Sequence, residues 1–269
     1  MMLHLRRHEA PISKDAWDEI DAEACRVLKL NLAARKLVDF VGPLGWATSG
    51  VSLGRVQDGS PAAEAVQTRL RRVQPLAELK TRFSLLLSEL EAVDRGAADP
   101  DLQPVIAAAQ RLARAEDHLV FSGYEPGGIA GIGGGSVHPP LTITTDYEKY
   151  PNTVAQATNV LKRAGVDGPY GIALGPRCYA GLIQAPTQGG YPVIERLRNV
   201  LNGPIVWAPG IDGAVVASVR GGDFELHVGQ DISIGYESHS DTEVHLYMIE
   251  SVTFRNLAPE AGLALKYAA

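Results

Sequence analysis

Residues 51–83 read VSLGRVQDGSPAAEAVQTRLRRVQPLAELKTRF, and the fold turns on how they are read. Segments 51–57 and 69–83 have the β-branched and alternating residues of extended chain, and Asp58-Gly59-Ser60-Pro61 between them is a small-residue connection. Together they predict a long hairpin-like excursion. It carries few large apolar residues for its length, so burial within it cannot offset the entropy of ordering it, and it needs a partner surface. Arg69, Arg71 and Arg72 alternate with Leu70 and Val73 on the second segment. A solvated or intersubunit strand face explains them better than nucleic acid, because the chain as a whole carries a net charge of −6.

Upstream of the excursion, residues 13–36 predict a helix. Trp17, Ile20, Ala24, Val27 and Leu28 form its apolar stripe, and the acidic residues Asp15 to Glu23 give way to Arg26, Lys29, Arg35 and Lys36, which suits the helix dipole at both ends. Downstream, a second helix is expected from Pro104 to Phe121. Then come a helix from Pro151 to Ala164 stopped by Gly165, a strand at 171–174 and a helix around 191–201. The remainder reads as strands at 214–220, 223–229, 244–254 and 261–267. Helices and strands are partly segregated, which gives an α+β fold class.

The stretch GGIAGIGGGS at 127–136 is not a phosphate loop. Ser136 stands where a third fingerprint glycine belongs, Pro139-Pro140 cannot open a helix after it, and the chain has no Gly-Lys-Ser/Thr. It is expected to be a flexible connection between structural units. The 269 residues are 45% apolar and 21% charged, ordinary globular usage. Cys25 and Cys178 have no zinc or redox spacing and fit a reducing cytoplasm, and with no apolar run of secretory length near the start and none of membrane length elsewhere, neither export by that route nor membrane embedding is expected.

The sequence offers few residues for chemistry. Glu225-Leu226-His227, Glu237-Ser238-His239 and Glu243-Val244-His245 each place a carboxylate and an imidazole on one strand face. That arrangement is suited to a metal only if the pairs converge, and alternating polarity on an exposed strand explains it without one. Asp117-His118 with Cys25 or Ser122 is a fragment of a hydrolase inventory without supporting spacing. No catalytic, metal or cofactor site is assigned.

Several stretches taken together resemble the encapsulin shell proteins, the bacterial nanocompartment family once labelled linocin-like or bacteriocin-like. The resemblance begins with Ala10-Pro11, Ala16-Trp17 and Glu19-Ile20, and continues through Ala34-Arg35-Lys36-Leu37-Val38-Asp39-Phe40, Gly42-Pro43, Gly45-Trp46 and Gln74-Pro75-Leu76-Ala77-Glu78-Leu79. Later stretches are Asp94-Arg95-Gly96, Glu116-Asp117, Phe121-Ser122-Gly123-Tyr124, Ala164-Gly165-Val166-Asp167-Gly168-Pro169-Tyr170, Gly190-Tyr191-Pro192 and Arg220-Gly221-Gly222-Asp223-Phe224. The strongest single run is Val228-Gly229-Gln230-Asp231-Ile232-Ser233-Ile234-Gly235-Tyr236. These stretches span nearly the whole chain in the family's order.

The resemblance implies the tailed-phage major capsid protein fold. The N-terminal arm and helix would be 1–47, the extended loop lying across a neighbouring subunit 48–82, the peripheral domain 83–139 and 222–269, and the axial domain 140–221. It also implies a closed icosahedral shell of identical subunits. The cargo, a ferritin-like protein or a dye-decolorizing peroxidase, would dock a short terminal targeting peptide on the lumen face. Carried over by position, the cargo-peptide residues are Leu28, Leu32, Arg35, Leu37, Asp39, Asp231, Ile232 and Tyr236, with the leucines and Ile232 forming apolar pockets and the charged groups fixing backbone and register. Arg35, Asp39 and Asp231 equally suit a purely structural task, tying the first helix to the sheet. On this reading Leu37→Asp or Ile232→Asp stops loading and leaves shells intact. The loop Gln184, Ala185, Pro186, Thr187, Gln188, Gly189 and Gly190 falls where the family lines its five-fold pore, and its neutrality predicts little charge selectivity.

Three readings follow. The leading one is a shell protein without catalysis of its own, with neither membrane nor nucleic acid among its partners. The others are a phage or prophage capsid protein enclosing DNA, and a small hydrolase or metal enzyme.

Overall fold

The computed structural model describes residues 3–185 and 192–268. Helix α1 (Lys14–Asn31) starts where Ser13 Oγ accepts from Ala16 N at 3.1 Å, with Asp15 in the first turn and Lys29 in the last. It buries Ala16, Trp17, Ile20, Ala24 and Val27. The charge pattern predicted a helix to Lys36, but the helix stops at Asn31. A competing acceptor arrives from elsewhere in the chain: Asp117 Oδ1 takes the backbone N–H groups of Ala33 and Ala34 at 3.0 and 2.8 Å, and the chain resumes as a single 3-10 turn, Ala34–Lys36.

The first sheet is built around one long strand. In chain order its members are β1 (Asp39–Val41), β4 (Ala77–Leu86), β11 (Phe224–Val228), β12 (Ser233–His239) and β13 (Glu243–Asn256). Strand β13 pairs antiparallel with β4 from Glu243↔Leu86 to Val252↔Ala77. Its first half also pairs with β12 and its second half with β11, and β1 runs parallel outside β11. Strand alternation sorts the side chains. Val244, Leu246 and Met248, with Phe83, Leu85, Ile234 and Tyr236, bury against α1 and against α3 (Gln103–Phe121), and Leu90 of α2 (Leu87–Asp94) joins the same core. Tyr247 and Ile249 face the other way and cover Leu5 of the N-terminal arm.

The second sheet has the order β7 (Leu141–Ile143), β14 (Gly262–Tyr267), β10 (Ala214–Ser218), β8 (Tyr170–Leu174), β9 (Ile205–Trp207). Every residue of β8 and β10 is buried, so both faces are covered. Their apolar side chains share one core with α4 (Tyr150–Arg163), α5 (Pro176–Gln184) and α6 (Val193–Leu201). Strand β14, at the end of the 222–269 segment that the resemblance assigns to the peripheral domain, pairs into this sheet. Its Gly262–Leu265 register against β10 draws the chain end across. The short elements α2, α5, β1, β7 and β9 and the edge strand β12 were not anticipated individually.

The excursion is the expected ribbon over part of its length: β2 (Gly50–Asp58) pairs antiparallel with β3 (Arg69–Pro75), with a register shift between Ser52 and Val56, whereas residues 77–83 of the second extended segment leave it and belong to β4 in the first sheet. Val56, Leu70 and Val73 are more than half exposed. The glycine stretch is not the loose connection expected of it. It folds back on the end of α3, pairing β5 (Gly123–Tyr124) with β6 (Ile129–Ala130), and Ile132 N and Gly133 N donate to Val120 O and Phe121 O at 2.8 Å and so satisfy carbonyls the helix leaves unpaired. A Cβ on Gly131 would stand 2.4 Å from Gly123 N and one on Gly134 2.1 Å from Ser122 O, so these glycines permit backbone contact, not motion.

Candidate functional site

Helix α1 and the start of β12 diverge, and the space between them is a groove of about 530 Å³. From α1 and the turn after it come Asp21, Ala24, Cys25, Leu28, Lys29, Leu32 and Arg35. Asp231, Ile232, Ser233 and Ile234 form the opposite side with Met248 beneath, and Leu5 and Arg7 enter from the N-terminal arm. Five of the eight residues named from the sequence therefore meet: Leu28, Leu32, Arg35, Asp231 and Ile232.

The other three stand elsewhere. Leu37 is 4% exposed and belongs to the core of the second sheet, packed on Gly171 of β8. The expectation that Leu37→Asp spares the fold is therefore withdrawn, since a carboxylate there would be buried in an apolar core. Asp39 lies in a separate cavity of about 150 Å³ with Lys36 and Gly221, its Oδ2 accepting from Gly222 N at 2.6 Å. Tyr236 is buried beneath the arm, its hydroxyl bonded to His239 Nδ1 at 2.6 Å and Arg6 above its ring.

Arg35 ties the groove to the interior. Its Nε and Nη2 donate to Glu116 Oε2 at 2.9 and 2.7 Å, Nη2 also reaches Glu250 Oε1 at 2.5 Å, and Nη1 reaches Asp231 Oδ1 at 2.9 Å. Glu116 and Glu250 are fully buried, whereas Asp231 is 43% exposed at the groove. Burial first, and then the neighbouring Glu116, raise the Glu250 carboxyl well above the ordinary range. Burial opposes the charge on Arg35, but the bonds and fields of Glu116, Glu250 and Asp231 outweigh it and raise its pKa. The structural task considered for Arg35 and Asp231 and their place in the groove thus coexist.

Arg7 closes one end. It forms a two-point pair with Asp21 at 3.2 and 2.7 Å and lies 3.8 Å over the ring of Trp17. The arm is further held by His4, stacked on Trp46 at 4.1 Å and bonded to Gln230 at 2.7 Å. Sequence reasoning missed Leu5, Arg7 and Met248. Leu5 and Arg7 precede any periodic segment, and Met248 reads only as one more inward residue of a strand.

The remaining candidates do not assemble into sites. Gln184 ends α5 and Ala185 follows it, while Pro186, Thr187, Gln188, Gly189 and Gly190 lie outside the described residues. The Glu-x-His pairs are engaged separately: Glu225 with His227 and Arg255, Glu237 with Arg82, and His245 with Ser84. Among the described residues no three metal-ligating side chains converge. Asp117 bonds backbone amides, and Cys25 lies on α1, so neither joins His118 in a triad. No helix among the described residues is long and apolar enough to cross a membrane.

Two sheets, a long helix and a projecting ribbon define a capsid-type subunit. The structure is similar to a virus-like particle from Pyrococcus furiosus, with a TM-score of 0.67 at 18% identity, covering 93% of this chain and 98% of that one. It is also similar to the capsid of the myovirus XM1, with a TM-score of 0.57 at 12% identity, covering 87% and 91%. At such identities the likeness shows the fold, that of tailed-phage capsid proteins. Sequence narrows it further. The Linocin_M18 family, described as "Encapsulating protein for peroxidase", matches residues 2–253. A Rhodospirillum rubrum "Type 1 encapsulin shell protein" is 50% identical over 98% of this chain and 97% of its own length. A Mycobacterium tuberculosis protein of the same name is 41% identical over 99% and 100%. The chain belongs to the encapsulin shell-protein family.

Proposed function

We propose that copies of this chain assemble into a closed icosahedral nanocompartment, and that the groove between α1 and β12 holds the short terminal targeting peptide of a cargo enzyme on the lumen side. The observation that carries the cargo part is the meeting of Leu28, Leu32, Arg35, Asp231 and Ile232 in one groove. They come from segments some 200 residues apart, and they combine apolar floor with a half-exposed carboxylate, the chemistry that recognises an extended peptide. The shell part is supported by family membership and by the ribbon, whose exposed Val56, Leu70 and Val73 find no core within their own chain. Heterologous contacts of this kind close into shells when their rotations permit.

A peroxidase is the first cargo to test, since the family description names one, and a ferritin-like protein is the second. The first sheet with α1–α3 would be the peripheral unit, the second sheet with α4–α6 and β14 the axial unit, and the ribbon the extended loop. Residues 184–190 would line the five-fold pore with little preference for ion sign. The shell itself carries out no chemistry on this reading, and it encloses protein, not nucleic acid, in the cytoplasm.

The test is expression of the protein alone, examined by native mass and electron microscopy, and then together with a peroxidase. Closed particles that retain the peroxidase in the wild type and lose it in Ile232→Asp support the proposal. A monomer at all protein and salt concentrations defeats the shell part, and loaded Ile232→Asp particles defeat the assignment of the groove.

A further inference from the structure

The core of the second sheet contains polar groups that the proposed function leaves unused. Tyr150 at the start of α4, Cys178 in α5 and Tyr267 of β14 converge there with Tyr147 from the 3-10 turn Tyr147–Lys149 just before α4. Tyr147 Oη donates to Arg177 O at 3.2 Å. A hydroxyl has one hydrogen, so the 3.1 Å contact between Tyr147 and Tyr267 is donated by Tyr267, and the 3.1 Å contact between Tyr267 and Cys178 by the thiol. Tyr150 in turn donates to Cys178 Sγ at 3.1 Å. Each hydrogen in the row therefore points outward, from Tyr150 through Cys178 and Tyr267 to Tyr147.

The two ends of the row differ in access. Tyr150 and Cys178 are 1% and 0% exposed, whereas Tyr147 lines an open cavity of about 290 Å³ beside Gln184. Its phenol lies against the backbone of α5, where a Cβ on Gly181 would stand 2.1 Å from Cζ. Burial, the first cause in each case, raises the thiol of Cys178 and the hydroxyls of Tyr150 and Tyr267 above their ordinary values, so all three keep their hydrogens near neutrality. Nucleophilic and metal-binding chemistry needs the thiolate and is not open to Cys178. What the row can deliver is hydrogen atoms.

We propose that Tyr147, Tyr267 and Cys178 form a hydrogen-atom relay that quenches organic peroxyl radicals at the cavity and places the oxidising equivalent on the buried sulfur. A peroxyl radical takes the hydrogen of Tyr147 Oη and leaves as the hydroperoxide. Tyr267 passes its hydrogen to the phenoxyl oxygen of Tyr147, and Cys178 passes its own to Tyr267. The net change is one O–H bond made in the hydroperoxide and one S–H bond broken, with both phenols restored and a thiyl radical left on Cys178. In air, dioxygen adds to that radical through a new S–O bond, and the oxygenated sulfur no longer alkylates. The relay lies within one chain, so it stands or falls separately from the shell reading.

The test exposes the full-length chain in air to peroxyl radicals from a water-soluble azo initiator. Peptide mass spectrometry then follows the fraction of Cys178 and of Cys25 that still alkylates after unfolding. Cys25 is exposed, reacts directly and serves as the internal reference. The expected result is loss of the Cys178 thiol in the wild type, abolished in Tyr267→Phe and reduced in Tyr147→Phe, with loss at Cys25 the same in all. Tyr150→Phe removes a bond to the sulfur from the far side of the row and leaves the Cys178 loss in place. A purely structural role for the phenols has the opposite sign, since loosened packing admits the oxidant and speeds the loss. Cys178 that keeps its thiol while Cys25 is consumed, or loss in Tyr267→Phe as fast as in the wild type or faster, overturns the relay. Unchanged or faster loss in Tyr147→Phe overturns its entry at the cavity.

Discussion

The first sheet and the β2–β3 ribbon are both antiparallel β-structure, yet they are held together by opposite means. Strand β13 buries nine successive residues from Leu246 to Phe254, and its apolar side chains meet α1, α3 and the second sheet's core within one chain. The ribbon pairs β2 with β3 and buries almost nothing: all residues of β3 but Gln74 are exposed. Two strands with no third layer are marginal in water. One region is therefore a property of the subunit and the other a property of whatever the subunit is assembled into.

The comparison is most severely tested at Arg35. Arg35→Ala leaves Glu116 and Glu250 buried without their cation, at an expected cost of about 3–5 kcal/mol, visible as a large loss in urea midpoint for the dispersed subunit. A cost under ~1 kcal/mol would mean that the two acids are held neutral without it. Next is Asp117→Ala, which strips Ala33 N and Ala34 N of their acceptor and should cost about 2–3 kcal/mol. Asp117→Asn keeps an acceptor oxygen and should cost less than ~1 kcal/mol by the same measurement.

A pH effect follows from the same residue. Burial, opposed by its bonds to Ala34 and Ala33, pushes the Asp117 carboxyl up to about 8 from an ordinary 3.8. A raised acid favours the folded state while protonated, so its contribution is full below the ordinary value and is lost as pH rises through about 8. Stability of the wild type should decline across that window, and Asp117→Asn should flatten the decline in melts at several pH values. The smallest effect on the subunit is expected in the ribbon. Leu70→Ser should change subunit stability by less than ~0.5 kcal/mol yet abolish or weaken assembly on a sizing column. A large loss of subunit stability there would erase the contrast between the two regions.

What the sequence disclosed tracks how local the deciding interaction is. The ribbon was legible because its lack of apolar residues is visible without knowing the fold, and α1 was legible from its stripe and charge order up to Asn31. Its end was not, because the acceptor that stops it, Asp117, comes from 83 residues or more away. The glycines at 127–136 were read as freedom because composition reports conformational permissiveness but not contact; Gly131 and Gly134 are small so that backbones can touch. In the groove, Leu28, Leu32, Arg35, Asp231 and Ile232 were found through family resemblance. Leu37 and Tyr236 came with them and proved buried in the two cores, a packing that only the tertiary structure reveals. Leu5 and Arg7 carry no periodic signal, and only the tertiary structure brings them to the groove.

The pairing of β4 with β13 has a mechanical side. A neighbour pulling on the ribbon pulls β4 along its own axis, and that load falls on the ladder from Leu86↔Glu243 to Ala77↔Val252 in shear, all its hydrogen bonds resisting together instead of opening one by one. The opposite edge of β13 carries β12 and the groove. On the proposed assembly, tension between subunits and occupancy of the groove bear on the same strand from its two sides, so a particle swollen from within should grip its contents differently from a relaxed one.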